Sequence, residues 1–468
     1  MSCQDEPVTV QLGFSEPISD PSDAEGMAHN SPNWTEWDGG KIGGAPSWLN
    51  PKDLPITAPL RCAVCARRNA EAGEIDKEGT LLRFMTQIYS PADSATGNEN
   101  AFHRSLYVFC CPHPICSSAE NAHESVVVLR GQLPKVNEFY PAKCDGEDEE
   151  SWDKHKSASW DVKLCILCGQ RASGRCPIAN QSFCCKYHQR DYHQAMKKNT
   201  DEDQEVDLSP YVYAESELVV EEEPSETQNG DGHDAEGKLA DEINKASMFA
   251  HACDESDELL EQSDLNEMSG TDTGTSDNTT LEFYTRIGRA DGDLKSQCLR
   301  YCRWPDTQAS DDDLESSNGP LWISSTHRPT VDEDIPHCEY CGAKRKFEFQ
   351  VMPQMVSFIK GNTDDNKDAQ KGVMSEEKKR ALLDASDIVD QAKEEGTESN
   401  LPQGFQKRQE ELKEKFKAAL LQDGKKDEAL DFGTIAVFSC TASCGGNETD
   451  GPLGAYRQEF AWRQKPLE

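Results

Sequence analysis

Apolar positions in this chain fall in short runs bounded by Gly, Pro and Ser, and only one segment spaces them as a helix would. Leu81 to Tyr89, Leu106 to Cys111, Phe347 to Met352 and Ile435 to Cys440 are rich in β-branched and aromatic residues, which predicts buried strands. Ser125 to Arg130 and Glu459 to Arg463 read as two more. Between these runs lie two charged stretches of different kinds. Residues 201 to 280 hold 25 Asp/Glu against Lys238 and Lys245, a local charge of −23 that includes Glu221-Glu222-Glu223, and read as a solvated acidic linker. Residues 361 to 430 mix both signs. There Leu412, Phe416, Leu420 and Leu421 fall at helical spacing and Glu411 precedes Lys415 by four, which predicts helices at Gln409 to Leu421, with a second at Glu376 to Leu383.

Without the charged stretches, the first and last thirds share one order of motifs. Trp48 is followed by Cys62-x-x-Cys65, an apolar run, a strand ending at Cys110-Cys111, then Cys116 and a last strand. Trp322 is followed by Cys338-x-x-Cys341, an apolar run, a strand ending at Ser439-Cys440, then Cys444 and a last strand. We read this as an internal duplication of one β module. The expected fold is mostly β with α (α+β). Its parts are an N-terminal module at 8–142, a small finger at 160–195, an acidic disordered linker at 196–282, and a C-terminal module at 283–465 carrying the charged helical insert at 361–430.

A Cys-x-x-Cys turn sets two sulfurs on one side of a knuckle, half of a tetrahedral zinc site, so each turn needs a second pair. The cysteines at the far end of each hairpin supply it. Because Cys110 aligns with Ser439, which cannot replace a thiolate, while Cys111 aligns with Cys440, the sets are Cys62, Cys65, Cys111, Cys116 and Cys338, Cys341, Cys440, Cys444. In the middle island Cys165-x-x-Cys168 is followed by Cys184-x-x-x-His188, whose one-turn spacing puts both groups on one helix face. That pattern resembles a MYND-type finger in its first metal set. Of the second set only Cys176 and His193 remain, so the finger is degenerate. About three structural zinc ions are expected, since four protein ligands leave no open position for hydrolysis.

Composition narrows the setting. With 86 Asp/Glu against 48 Lys/Arg the formal charge is −38, which disfavours binding to phosphate backbones, so direct DNA binding is not expected. The start lacks the basic and apolar segments of a secretory leader, and no apolar run approaches the ~20 residues of a membrane span. Nineteen cysteines then point to metal in a reducing compartment and not to disulfides. Lys344-Arg345-Lys346 reads as a solvated turn after the knuckle and His103 as a structural histidine, while Trp48, Phe84, Tyr107, Trp322, Phe349 and Trp462 are candidates to line a client-binding face, with core packing the favoured use of each. No glycine-rich cofactor loop, P-loop, HExxH or GxSxG is present, so an enzyme is not expected.

Several stretches resemble the programmed cell death protein 2 family: Leu12-Gly13-Phe14, Gly43-Gly44-x-Pro46-x-Trp48-Leu49, Phe102-His103-Arg104, Gln132-Leu133-Pro134 and Pro320-Leu321-Trp322. The C-terminal signature runs from Cys338-x-x-Cys341-Gly342-Ala343-x-Arg345 through Phe347-Glu348-Phe349-Gln350-Val351-Met352-Pro353, and resumes at Asp431-Phe432-Gly433-Thr434. The resemblance implies a non-enzymatic chaperone that captures a basic small-subunit ribosomal protein, during its synthesis or soon after, and supports 40S subunit biogenesis and pre-rRNA maturation. It implies a cytoplasmic protein with nuclear or nucleolar access. The alternative is a MYND-finger adaptor for proline-rich peptides of transcription or cell-death regulators. The client would bind by adding a strand to a concave face or sheet edge of the paired modules.

Overall fold

The computed structural model describes residues 9–16, 40–72, 78–140, 163–198, 206–224, 279, 283, 286–287, 297–304, 318–359, 430–445 and 451–466. All fall in one of the chain's two compact units; the other, 233–270 with 362–429, lies outside the described residues, as do the helices expected at Glu376 to Leu383 and Gln409 to Leu421. No described helix is long and apolar enough to cross a membrane.

The strands are β1 (Gln11–Glu16), β2 (Gly40–Ile42), β3 (Arg83–Tyr89), β4 (His103–Cys110), β5 (Val126–Leu133), β6 (Gly174–Cys176), β7 (Gln181–Phe183), β8 (Ser216–Glu222), β9 (Gln297–Tyr301), β10 (Arg345–Val351), β11 (Ile435–Cys440) and β12 (Tyr456–Arg463). Ten of them close an antiparallel barrel in the order β1-β8-β2-β3-β4-β5-β12-β11-β10-β9, and β6 pairs with β7 in a separate two-stranded sheet in the region where the finger is expected. Strands from both ends of the chain therefore share one sheet. β5 meets β12 through Gly131–Tyr456, and β1 lies between β8 and β9.

Why the apolar runs are continuous is visible in β4, where every residue is buried. Leu106, Val108 and Cys110 point into the barrel with Val128, Phe349, Ile435 and Val437, while Tyr107 and Phe109 pack outward with Trp48, Leu60 and the first cysteine cluster. Both faces are covered, so strict polar alternation is lost. The two hairpins match in detail. A bulge interrupts β3–β4 between Phe84 and Thr86 opposite Phe109 and Val108, and another interrupts β10–β11 between Phe347 and Phe349 opposite Phe438 and Val437. The extra residues are Met85 and Glu348.

Three expectations change. The barrel is closed, so its ten strands leave no open edge for strand addition; β1 and β8 fill the gap that two separate modules would have left. The acidic stretch assigned to a disordered linker at 196–282 contains β8. Leu218 seats between Gly13 and Gly40, where an added Cβ would come within 2.9 and 2.7 Å of its side chain, and buried pairs just beyond both ends, Glu215 with Lys41 and Glu223 with Arg286, neutralise the two flanking acids. Finally, Lys344-Arg345-Lys346 is not a solvated turn: Lys346 is exposed, but Arg345 opens β10 buried, donating to the Pro336 and His337 carbonyls and pairing with Glu459 at 3.2 Å.

The buried bulge residue Glu348 organises the polar part of the barrel interior. Arg104 donates to both its oxygens at 2.6 and 2.8 Å, Ser90 donates at 2.6 Å, Ser439 donates as well, and Arg303 lies 3.5 Å away. Burial pushes the carboxyl up, but the Arg104 guanidinium outweighs it, and with Arg303 and Ser439 holds Glu348 at about 2. A depressed carboxylate stabilises the fold above its ordinary range near 4.5 and loses that contribution as pH falls toward about 2. Acid titration of Glu348→Gln beside the unaltered chain should thus show a shallower loss of stability across that window.

Candidate metal centres

The twelve expected ligands meet in three groups of four, and within each group all ligand atoms lie within 4.8 Å of one another. In the first, Cys62 caps the Ala63–Glu71 helix and its sulfur accepts the Cys65 N–H at 3.4 Å, the turn that points both sulfurs one way. Cys111 follows the end of β4 and Cys116 ends a short turn at Pro114–Cys116. Sulfur separations are 3.8 Å for Cys62–Cys116, 3.7 Å for Cys65–Cys111 and 3.4 Å for Cys65–Cys116. A tetrahedron of ~2.3 Å zinc–sulfur bonds has edges of about 3.8 Å. The donors and their spacing fit that ion.

Cys165 and Cys168 form a tight turn in the second group, closed by Gly169 N–H to the Cys165 carbonyl at 2.9 Å with Gly169 at φ +67°. Cys184 follows β7, and His188 sits in the first turn of the Lys186–Lys198 helix with Nδ1 3.2 Å from Cys184 and 3.5 Å from Cys165. The third group repeats the turn: Gly342 at φ +75° donates to the Cys338 carbonyl at 2.8 Å. Its sulfurs stand 3.5 Å apart in Cys338–Cys444 and in Cys341–Cys440. Shifts within this group oppose one another: the hydrogen bond from Cys444, with others from nearby groups, draws the Cys440 thiol down to about 4, while the same contact pushes Cys444 up and burial pushes Cys338 up.

The two centres on the barrel differ in cover. All four sulfur ligands of the first are buried, whereas Cys341 of the third is exposed and Cys444 half-buried. Cys110 belongs to neither, because strand alternation turns it into the barrel, where burial pushes its thiol up. In the finger, Cys176 Sγ lies 3.2 Å from His193 Nε2, and among the described residues no third ligand joins that pair. The sixteen described cysteines are all free thiols.

Buried polar residues tie these centres to the barrel, and the sequence reading missed them. Arg130 pairs with Glu459 at 2.6 Å and donates to the Cys444 carbonyl at 2.8 Å; Glu459 also accepts the Cys440 N–H at 3.0 Å. Arg463 reaches the other way, to the hydroxyls of Ser117, beside Cys116, and Ser125. Each closing strand thus braces the opposite half's cysteine loop. Gln87 accepts from the Ser47 N–H at 2.8 Å, and Gln350 accepts from the Leu321 N–H at 2.7 Å, so each fixes the residue before a tryptophan. A signal was available in Phe347-Glu348-Phe349-Gln350, where polar residues interrupt a run otherwise too apolar to be exposed. Of the expected core residues, Trp48, Phe84, Tyr107, Trp322 and Phe349 are buried and Trp462 is half-buried. His103 is buried against Tyr89, whose hydroxyl lies 3.1 Å from its Nδ1, and desolvation lowers its pKa to about 4.

Known proteins place this arrangement. Residues 9–147 match the N-terminal domain of programmed cell death protein 2, and residues 277–378 match its C-terminal putative domain. The chain is 30% identical to programmed cell death protein 2 of Bos taurus over 72% of this chain and 85% of that one, and 29% identical to that of Mus musculus over 94% and 95%. Programmed cell death protein 2-like of Homo sapiens is 24% identical over 71% of this chain and 82% of its own. No solved structure matches the chain. With two domain matches in the expected order and a relative at 30% identity over most of its length, the chain belongs to the programmed cell death protein 2 family.

Proposed function

We propose that this protein is a zinc-binding, non-enzymatic chaperone that captures a basic small-subunit ribosomal protein and supports 40S subunit biogenesis and pre-rRNA maturation. The observation that carries this reading is the pairing of four-ligand centres with strong acidity. Each centre offers a full tetrahedron of protein donors, which suits a structural ion, and a charge of −38 suits a basic client that must be kept from nucleic acid. Zinc would be held by the three groups above and would clamp the hairpin ends. The barrel would be two copies of one module, as its matching bulges and Gln87/Gln350 clamps support, and the 163–198 region a MYND-like finger with one metal. The protein would act in the cytoplasm with access to the nucleus.

Two measurements test this. Elemental analysis of the purified chain should return about three zinc ions, and a value near zero would remove the ligand assignments. Co-expression should recover a small-subunit ribosomal protein, identified by mass, in a stoichiometric complex. That complex should persist when the exposed Lys186 and Arg190 of the finger helix are changed to Glu. Loss of the complex in such a folded variant would favour the finger as an adaptor for proline-rich peptides instead.

A further inference from the structure

The two halves carry matching tryptophans with different partners. Trp48 follows the segment held by Gln87 and packs on Phe109 of β4, their rings 5.9 Å apart. Trp322 follows the segment held by Gln350, on both sides, and packs in a cluster with Phe438 of β11, the residue matched to Phe109 by the two bulges. Trp48 donates its indole N–H to the Gly169 carbonyl of the finger at 2.9 Å. The turn fits closely there: a Cβ on Gly169 would stand 2.4 Å from that of Ala45. Further contacts seat it, from Gln170 to the Leu82 carbonyl and from Arg171 to the Leu54 carbonyl, both at 2.9 Å. Trp322 is only 4% exposed, yet among the described residues its indole N–H has no acceptor.

A buried donor left without an acceptor is costly and rare in folded proteins. Here the matched position shows what satisfies it: a backbone carbonyl on a tight turn, delivered from outside the barrel. Around Trp322 the half-buried Phe14, Phe460 and Trp462 form an aromatic margin, and Ala436 replaces the bulky Tyr107 of the other half. Ile335, from the segment leading to Cys338, is packed in the same cluster but is not carried on a barrel strand.

We propose that the face around Trp322 is a docking site for a protein partner, which presents an apolar turn whose backbone carbonyl accepts the Trp322 N–H, as the finger's turn does on Trp48. Since the N–H is buried, docking requires the groups that cover the indole to move aside. The proposal rests on the client reading above and names where the client's turn would bind.

Trp322→Phe removes the N–H and keeps an aromatic ring, and Trp48→Phe is the matched control. With the full-length protein, Trp48→Phe should lower the melting temperature, because it leaves the Gly169 carbonyl without its donor. Trp322→Phe should leave melting unchanged or raise it, while weakening the ribosomal protein recovered by co-expression roughly tenfold in a direct titration. If that protein binds the Trp322→Phe chain within twofold of the unaltered one, the docking site is wrong and the client reading stands. If Trp322→Phe melts as low as Trp48→Phe, its N–H is satisfied within the fold and the docking site is again wrong. If the unaltered chain captures no ribosomal protein, both fall together.

Discussion

If zinc fills the three groups as proposed, replacing Cys111 with Ser should lower the zinc content by one ion and unfold the hairpin that the first centre would clamp. Cys110→Ser, one residue away, should keep all three. Cys111 stands 3.7 Å from Cys65 in a four-sulfur group, and three remaining thiolates hold a structural ion far more weakly. Binding of a structural zinc is worth about 10–16 kcal/mol in small domains, as much as the whole stability of a typical fold at ~5–15 kcal/mol. Loss of the clamp should therefore show as loss of cooperative melting together with a fall from about three ions to two. Cys110 faces the apolar barrel interior, and a hydroxyl there would cost about 1–3 kcal/mol without touching the metal count. Equal metal loss in both variants would overturn the choice of ligand.

Removing the guanidinium of Arg104 should be the most damaging change away from the cysteines. Arg104 and Glu348 are both fully buried and joined by two hydrogen bonds, so Arg104→Met leaves a carboxylate inside the barrel with only Arg303, Ser90 and Ser439 to hold it. Breaking one side of such a pair costs about 3–5 kcal/mol, whereas replacing both sides with apolar groups of similar volume is often neutral. Urea unfolding should place Arg104→Met far below the Arg104→Met/Glu348→Leu double variant. A single variant as stable as the double one would mean that Arg303, Ser90 and Ser439 suffice for Glu348.

The strands of both halves were legible because burial on both faces writes long apolar runs into β4 and β11. The metal groups were legible because a Cys-x-x-Cys turn always needs a second pair. Cys111 was separable from Cys110 by the match to Cys440, and the alternation of β4 gives the physical reason. What stayed hidden depends on contacts distant in sequence. β8 has one fully buried residue, Leu218, in a stretch dominated by acids, and its place follows from glycines at positions 13 and 40 and from cations at 41 and 286. Closure of the barrel was hidden for the same reason. It depends on β1 and β8, whose partners cannot be read from their own composition.

The placement of β1 carries a consequence for how the chain is made. Gln11 pairs with Tyr301 and Gly131 with Tyr456, so strands that emerge early from synthesis wait for partners roughly 300 residues behind them. Such distant pairings are slow to form. The N-terminal hairpin and its cysteine group can form as soon as β5 has emerged, but β1 has no partner until β8 and β9 follow, and the free side of β5 stays unpaired until the last strand is complete. During that interval the nascent chain carries exposed strand edges and needs protection of its own.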